Sequence, residues 1–162
     1  MLDIRRAAES DHEPVWQLLR EVAVAGETYT FDPAISREDA LACWFAQENK
    51  TWVVFSEGEL LGTYLLRANQ SGGGSHVANA AFIVSPHAQG KGIGRAMAEH
   101  CLAEARRLRF RAMQFNFVIS TNTTAIHLWK SLGFEIVGIL PSAFRHPHAG
   151  YVDAYVMYRS LL

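Results

Sequence analysis

Gln89-Gly90-Lys91-Gly92-Ile93-Gly94-Arg95 is a glycine-rich stretch between an apolar run, residues 80–84, and a helical pattern that ends near Leu108. Glycines at alternate positions leave a turn without side chains, so backbone N–H groups can approach a bulky anion closely. The helix that follows adds its unpaired first-turn donors and the positive end of its dipole. The stretch therefore predicts a phosphate-binding turn at a helix N-terminus.

Two common phosphate-binding motifs do not fit this stretch. A Walker loop needs four residues between its first glycine and a Gly-Lys-Ser/Thr, whereas Lys91 directly follows Gly90. The dinucleotide fingerprint reads G-x-G-x-x-G after the first strand of a βαβ unit, and here the pattern is G-x-G-x-G without such a strand. The alternative is that the stretch binds no ligand and is a helix start that happens to be rich in glycine.

The composition is that of an ordinary globular chain. It has 162 residues, 49% of them hydrophobic, and a formal net charge of −1, so one domain over residues 1–162 is predicted. Without a basic excess, a signal segment or a membrane-length apolar run, we expect no nucleic-acid or membrane partner and a cytoplasmic location. Cys43 and Cys101 lie in predicted helices among apolar neighbours and are expected to be buried free thiols.

Hydrophobic periodicity divides the chain into strands and helices. Helices are predicted to begin at Ser10, at Ser36, after the glycine-rich stretch and at Asn122. Strict alternation in the fifth strand places one apolar row on a single face: Met113, Phe115, Phe117 and Ile119. The order β-α-α-β-β-β-α-β-α-β-β predicts an α/β domain with a mixed, mainly antiparallel sheet of about seven strands with four helices. The predicted strands cover residues 2–7, 51–56, 59–68, 76–84, 112–119, 135–140 and 151–158.

A second motif lies downstream, over residues 122–134, and reads N-T-T-A-I-H-L-W-K-S-L-G-F. It matches the N-x-x-A-x-x-L-Y/H-x-x-x-G-F segment of the GNAT superfamily of acyl-CoA-dependent N-acetyltransferases at nearly every position. Gln89, Gly92 and Gly94 match that superfamily's Q/R-x-x-G-x-G/A pyrophosphate loop. The resemblance covers essentially the whole chain, and it implies the GNAT fold, acetyl-CoA as co-substrate and no metal.

Two further segments resemble one branch of the superfamily, which acetylates small amino acids and their analogues. They are the loop Tyr29-Thr30-Phe31-Asp32-Pro33 and the segment Tyr151-Val152-Asp153. That branch includes phosphinothricin and methionine sulfoximine acetyltransferases, and the chain is similar also to fungal proline-analogue (azetidine-2-carboxylate) N-acetyltransferases. The resemblance implies a small-molecule amine as acceptor, detoxification as a role, and a homodimer formed by the end of the sheet that carries Phe144, Tyr151 and Tyr155.

The donor residues are predicted from the chemistry of the cofactor together with the resemblance. The pantetheine arm resembles a peptide and can pair with an open strand edge, which Phe82, Ile83 and Val84 are placed to supply. A strand N–H near Phe82 would polarise the thioester carbonyl. The pyrophosphate would be bound by the residues of the glycine-rich stretch, which are Gln89, Gly90, Lys91, Gly92, Ile93, Gly94 and Arg95. The resemblance implies that Asn122 also contacts the cofactor.

The predicted acceptor residues are two asparagines in apolar strands and a loop rich in hydroxyl and aromatic groups. Asn79 and Asn116 are disfavoured in strands, so they are either core amides with satisfied hydrogen bonds or a pair that binds the acceptor's carboxylate and amine. The loop residues expected to contact the acceptor are Glu27, Thr28, Tyr29 and Phe31. His146-Pro147-His148 has no supporting Cys, Asp or Glu cluster, so no metal is predicted.

Trp129 stands where many superfamily members have a tyrosine that protonates the leaving thiolate. Indole cannot act as that acid. Either water protonates the thiolate, or another hydroxyl such as Tyr155 or Ser120 does. The missing tyrosine also leaves a non-catalytic acyl-CoA sensor as an alternative, and within the enzyme class a protein N-terminus or a polyamine remains a possible acceptor.

Overall fold

The computed structural model describes all 162 residues and confirms the predicted order of elements. The sheet has seven strands, and four helices of two turns or more pack on it. In chain order they are β1 (Asp3–Arg6), α1 (His12–Ala25), α2 (Arg37–Trp44), β2 (Lys50–Ser56), β3 (Glu59–Ala68), β4 (Val77–Val84), α3 (Ile93–Arg107), β5 (Ala112–Ile119), α4 (Thr123–Ser131), β6 (Glu135–His146) and β7 (Gly150–Ser160).

The strands are arranged in the order β1-β2-β3-β4-β5-β7-β6, and every neighbouring pair except β4 with β5 is antiparallel. The parallel pair joins only at its start, where Val77 lies opposite Ala112 and Ala78 opposite Met113. Beyond these residues the two strands diverge. The sheet therefore has an opening in its middle, with unpaired backbone on both sides.

Each face of the sheet is covered by one pair of helices. Alternate strand residues point to opposite faces, so Val53 and Leu65 pack beneath α1 and α2, whereas Val54 and Leu66 pack beneath α3 and α4. Helix α3 turns an apolar face towards the sheet, on which Met97 and Cys101 are fully buried. None of the helices combines the length and the apolar character that a membrane crossing requires.

The starts of the first two helices were predicted with unequal success. Ser36 caps α2 by accepting the Asp39 backbone N–H at 3.0 Å, as predicted. The predicted cap at Ser10 is wrong, because Asp11 accepts the Ala8 N–H at 2.7 Å before α1 begins. Arg5 donates two hydrogen bonds to the same carboxylate, and these bonds hold the pKa of Asp11 below its usual range.

The prediction that apolar and polar side chains alternate strictly along β5 is wrong. The register against β7 shifts between Phe115 and Val118, and this bulge reverses the order of the two faces. Val118 consequently lies in the core at 8% exposure, while Phe117 is 36% exposed. A bulge inserts one residue without changing the composition of a strand, so the apolar pattern alone did not reveal it.

Two smaller predictions also need correction. The last two strands are longer than predicted, because residues 141–146 continue β6 through a bulge near Ser142 instead of forming a loop. Cys101 is buried as expected, but Cys43 is exposed on α2. Helix α2 is short and covers the sheet mainly through Ala40 and Trp44, so its neighbouring apolar positions are not all inside.

Candidate active site

The opening between β4 and β5 contains a cavity of about 260 Å³. Its walls come from the loop between α1 and α2, from the central strands β3, β4 and β5, and from the first and last turns of α4. The residues that line it are Thr28, Tyr29, Thr30, Arg67, Asn79, Ala80, Ala81, Phe82, Phe115, Asn116, Phe117, Val118, Ile119, Asn122, Ala125 and Trp129.

The glycine-rich stretch forms a turn at the N-terminus of α3, as predicted. Gly90 and Gly92 have φ values of +73° and +77°, in the left-handed region that favours glycine. A Cβ atom built on either would meet no atom within 4 Å, so the turn is open to an approaching group. The first helical hydrogen bond runs from Ala96 N–H to the Gly92 carbonyl, and the N–H groups before it have no backbone partner. The turn therefore offers several unpaired donors to an anion.

The charged side chains near this turn differ in availability. Lys91 and Gln89 are exposed and form no hydrogen bond or salt bridge within the chain. Arg95 instead donates to Ser131 Oγ of α4 at 2.7 Å and lies 3.7 Å from Glu99. Lys91 thus remains available to a phosphate, whereas Arg95 contributes to the turn chiefly through its backbone N–H.

The Phe82 backbone faces the opening, and its N–H is already engaged. It donates to the Tyr29 hydroxyl at 2.8 Å, and the same hydroxyl donates to the Phe82 carbonyl at 2.7 Å. Burial raises the pKa of Tyr29 above its ordinary value, so this hydroxyl stays protonated. The predicted role of Phe82 as donor to a thioester carbonyl therefore requires the hydroxyl to move. Ile83 is buried in the core under α1 and α2, and its side chain does not reach the cavity.

Asn79 and Asn116 both line the cavity, but their surroundings differ. Asn79 is 8% exposed, and its Nδ2 donates at 3.0 Å to the carbonyl of Gln114, one residue beyond the last backbone pair of β4 and β5. It therefore joins the two strands at the point where they diverge. Asn116 is exposed; it donates to Asn69 Oδ1 at 2.7 Å and accepts from the Gln114 side chain at 3.0 Å. The Oδ1 atom of Asn79 makes no hydrogen bond within the chain.

Arg67 is a cavity residue that sequence reasoning missed. It lies on β3 directly opposite Asn79 and is half-buried. It takes part in none of the chain's salt bridges. A charged residue near the end of a strand ordinarily points to solvent, so nothing in the local pattern distinguished Arg67 from other strand-end cations.

The predicted acceptor loop divides in the structure. Thr28 and Tyr29 line the cavity, together with Thr30, which was not predicted. Glu27 points away, with Oε1 3.7 Å from His148 Nε2, and Phe31 stacks on the Tyr29 ring at 5.5 Å between centroids. These two residues, at either end of the segment, do not line the cavity.

Trp129 closes the cavity on the side of α4. Its ring packs at 5.0 Å from Phe82 and 4.6 Å from Phe115 between centroids, and only 8% of the residue is exposed. The indole N–H forms no hydrogen bond within the chain. Tyr155 and Ser120, the hydroxyls considered as replacements for the missing tyrosine, do not line the cavity. The tyrosine hydroxyl that does reach it is Tyr29.

Asn122 caps α4, as its position predicts, and accepts the Ala125 N–H at 3.3 Å while lining the cavity. The histidine pair is occupied elsewhere: His146 Nδ1 accepts the N–H groups of His148 and Ala149 at 3.1 Å and 3.0 Å. No group of three or more His, Cys, Asp or Glu side chains in the chain is arranged to hold a metal ion. The chemistry available at the cavity is therefore that of backbone donors, amides, hydroxyls and one guanidinium.

The chain is similar to known proteins both in sequence and in fold. The model of the Acetyltransferase (GNAT) family matches residues 12–134. The chain is similar to N-acetyltransferase aca1 of Schizosaccharomyces pombe, at 35% identity over 81% of this chain and 71% of that protein.

Two solved structures show the same architecture. A GCN5-related N-acetyltransferase from Kribbella flavida superposes with a TM-score of 0.94 at 41% identity, covering 98% of this chain and 97% of that one. A phosphinothricin acetyltransferase of the GNAT superfamily from Sinorhizobium meliloti, solved in complex with AcCoA, gives a TM-score of 0.86 at 22% identity, covering 98% and 88%. At that lower identity the likeness concerns the fold alone.

Proposed function

The chain belongs to the acetyltransferase (GNAT) family, and we propose that it acetylates the amine of a free amino acid or a toxic amino-acid analogue. It is an acetyl-CoA-dependent N-acetyltransferase, and the choice of acceptor is the part that we propose. In the reaction the amine nitrogen forms a bond to the acetyl carbon, the C–S bond breaks, the amine loses a proton, and CoA leaves as the thiol.

Acetyl-CoA fits the glycine turn and the open edge of β4. The turn at Gly90 and Gly92 presents unpaired N–H groups in open space, which suits a pyrophosphate, and Lys91 adds a free positive charge. The unpaired edge of β4 suits the amide groups of a pantetheine arm. The match to the acetyltransferase (GNAT) family over residues 12–134 supports this assignment.

The position of Arg67 in the cavity is the main support for the proposed class of acceptor. Arg67 is half-buried, lines the cavity and has no acidic partner in the chain, so its positive charge is available to an anionic ligand. Its planar set of donors matches the two oxygens of a carboxylate. A polyamine would be repelled by the same charge, since the cavity lining contains no Asp or Glu. An acceptor with a carboxylate close to its amine therefore suits the cavity better than a polycation.

The remaining polar groups would orient the acceptor amine. Asn79 Oδ1 is free to accept an N–H, and Asn116 lies across the same cavity on β5. Thr28 and Thr30 add hydroxyl or backbone groups from the opposite wall. With Arg67 on the carboxylate and Asn79 on the amine, the amine would point along β4 towards Phe82.

The most direct experiment is a thiol-release assay with acetyl-CoA and a panel of acceptors. The panel contains amino acids, their cyclic and sulfoximine or phosphinic analogues, polyamines, and peptides with free N-termini. We expect release with amino acids or analogues and little with polyamines or peptides. Release with polyamines alone would contradict the proposed acceptor, and acetyl-CoA binding without release for any acceptor would favour the sensor.

We also propose a homodimer in the cytoplasm, without nucleic-acid or membrane partners. β6 is a long edge strand, and apolar side chains on the last hairpin are exposed, Ile139 at 58% and Tyr151 at 70%. Phe144, which was expected to contribute, is instead buried within the chain. Two free cysteines suit a reducing compartment. A monomer in light scattering at micromolar concentration would contradict the dimer.

A further inference from the structure

The Tyr29 hydroxyl forms the two hydrogen bonds that a neighbouring strand would otherwise make to Phe82 at the centre of the sheet. Where β4 and β5 have diverged, the Phe82 N–H and carbonyl have no backbone partner on the open side. The Tyr29 hydroxyl accepts from the first at 2.8 Å and donates to the second at 2.7 Å. It therefore satisfies both groups that a neighbouring chain would otherwise pair with.

Tyr29 reaches this position from the face of the sheet that α1 and α2 cover. Its ring stacks on Phe31 at 5.5 Å and meets Trp44 edge-on at 6.5 Å between centroids, within the core under α1 and α2. Trp44 is itself fixed, because its Nε1 donates to Thr63 Oγ1 at 3.0 Å. The hydroxyl is thus held at the opening by a packed aromatic group, while Thr28 and Thr30, on either side of Tyr29, line the cavity.

We propose that Tyr29 is a positioning residue whose hydroxyl occupies the Phe82 backbone groups in the free protein and yields them to the acyl-thioester arm of acetyl-CoA. A pantetheine arm lying along β4 needs an N–H donor and a C=O acceptor on the open edge, and these are the two groups that Tyr29 engages. The Tyr29 hydroxyl and the pantetheine arm cannot both accept a well-aligned hydrogen bond from the Phe82 N–H at the same time. The inference rests on acetyl-CoA as the donor of the reaction described above, and it does not depend on the proposed acceptor.

Displacement of the hydroxyl links the two halves of the cavity. Tyr29 belongs to the loop that begins after Gly26, where the left-handed φ of +64° ends α1, and stops at the Ser36 cap of α2. A backbone shift that withdraws the hydroxyl from Phe82 would also move the flanking threonines, which line the cavity. Occupation of the donor side would then change the shape of the acceptor side.

The experiment is calorimetric binding to the Tyr29→Phe variant, which keeps the aromatic packing and removes only the hydroxyl. Acetyl-CoA no longer has to displace that hydroxyl, so we expect it to bind about fivefold more tightly than to the wild type, in line with the net strength of ordinary hydrogen bonds. Binding of 3′-phosphoadenosine 5′-diphosphate, which lacks the pantetheine arm, should change less than about twofold. Unchanged or weaker acetyl-CoA binding overturns the inference.

Tyr64→Phe is the matched control. Its hydroxyl is also removed from a buried ring, but that hydroxyl pairs with His100 Nδ1 at 2.6 Å and not with the β4 backbone. We expect no tighter acetyl-CoA binding in this variant. Equal tightening in both variants overturns the inference, because it would follow from general loosening of the sheet.

A second measurement uses the wild-type sequence with fluorinated tyrosine, so that it does not depend on folding of a variant. Acetyl-CoA should shift the ¹⁹F resonance of Tyr29, and the nucleotide fragment should leave it in place. A Tyr29 resonance that does not respond to bound acetyl-CoA overturns the inference. Failure of the wild type to bind acetyl-CoA at all would instead contradict the proposed donor, so the two failures are distinguishable.

Discussion

The donor and acceptor halves of the candidate active site are built in contrasting ways. The donor half contains a short continuous turn in which Gly90 and Gly92 carry no side chains and leave backbone N–H groups unpaired. The acceptor half depends on side chains from β3, β4, β5 and a loop, and Arg67 lies far along the chain from Asn116. Backbone donors suit a pyrophosphate, which is the same in every reaction cycle. Side chains can change one at a time, so we expect the acceptor half to set specificity.

The largest effect is expected for Gly92→Val, in the donor half. Valine is strongly disfavoured at the observed φ of +77°, and its side chain would occupy the open space in front of the turn. We expect acetyl-CoA affinity to fall at least tenfold, a loss of about 1.4 kcal/mol or more, in calorimetric titration.

Gly72→Val is the control for that prediction. Gly72 also has a positive φ, +56°, and open space around it, but it lies in the surface turn before β4. The Gly72→Val substitution imposes comparable backbone strain away from the cavity, so acetyl-CoA affinity should be unchanged. Similar losses in both variants would mean that strain, and not blocked access to the turn, explains the first result.

The second effect concerns Asn79, which belongs to both the sheet and the acceptor half. Replacement by alanine leaves the Gln114 carbonyl without its donor at the point where β4 and β5 diverge. We expect the free energy of unfolding in urea to fall by about 1–2 kcal/mol, with a parallel loss in kcat/KM for the amino acid. A folded variant of unchanged stability would remove the structural role assigned to this amide.

A smaller effect is expected for Asn116→Ala. The Asn116 side chain is exposed and already bonded to Asn69 and Gln114, so less of its hydrogen-bonding capacity is left for a ligand. We expect kcat/KM for the amino acid to fall about threefold, with stability and acetyl-CoA binding unchanged. A loss as large as that from Asn79→Ala would show that Asn116 contacts the acceptor more closely than its present bonds indicate.

The contrast between the two halves explains how much the sequence could predict. The glycine turn and the Asn122 cap each involve residues within a few positions, so their chemistry follows from local pattern. The contact between Tyr29 and Phe82 joins residues 53 positions apart, and Arg67 becomes a cavity residue only because β4 and β5 diverge beside it. The bulge that exposes Phe117 likewise depends on pairing with β7, which periodicity within β5 cannot reveal.

The central claim is that Arg67 binds the acceptor's carboxylate. It is tested by comparing kcat/KM for an amino acid and for its carboxamide, in the wild type and in Arg67→Gln, with Arg20→Gln on the exposed face of α1 as control. A charge-assisted hydrogen bond contributes about 1.5–3 kcal/mol, so Arg67→Gln should lower kcat/KM for the amino acid roughly 10- to 100-fold. The carboxamide should lose little, acetyl-CoA binding should be unchanged, and Arg20→Gln should behave as the wild type. Equal losses for the acid and its carboxamide would contradict the claim and place the carboxylate elsewhere.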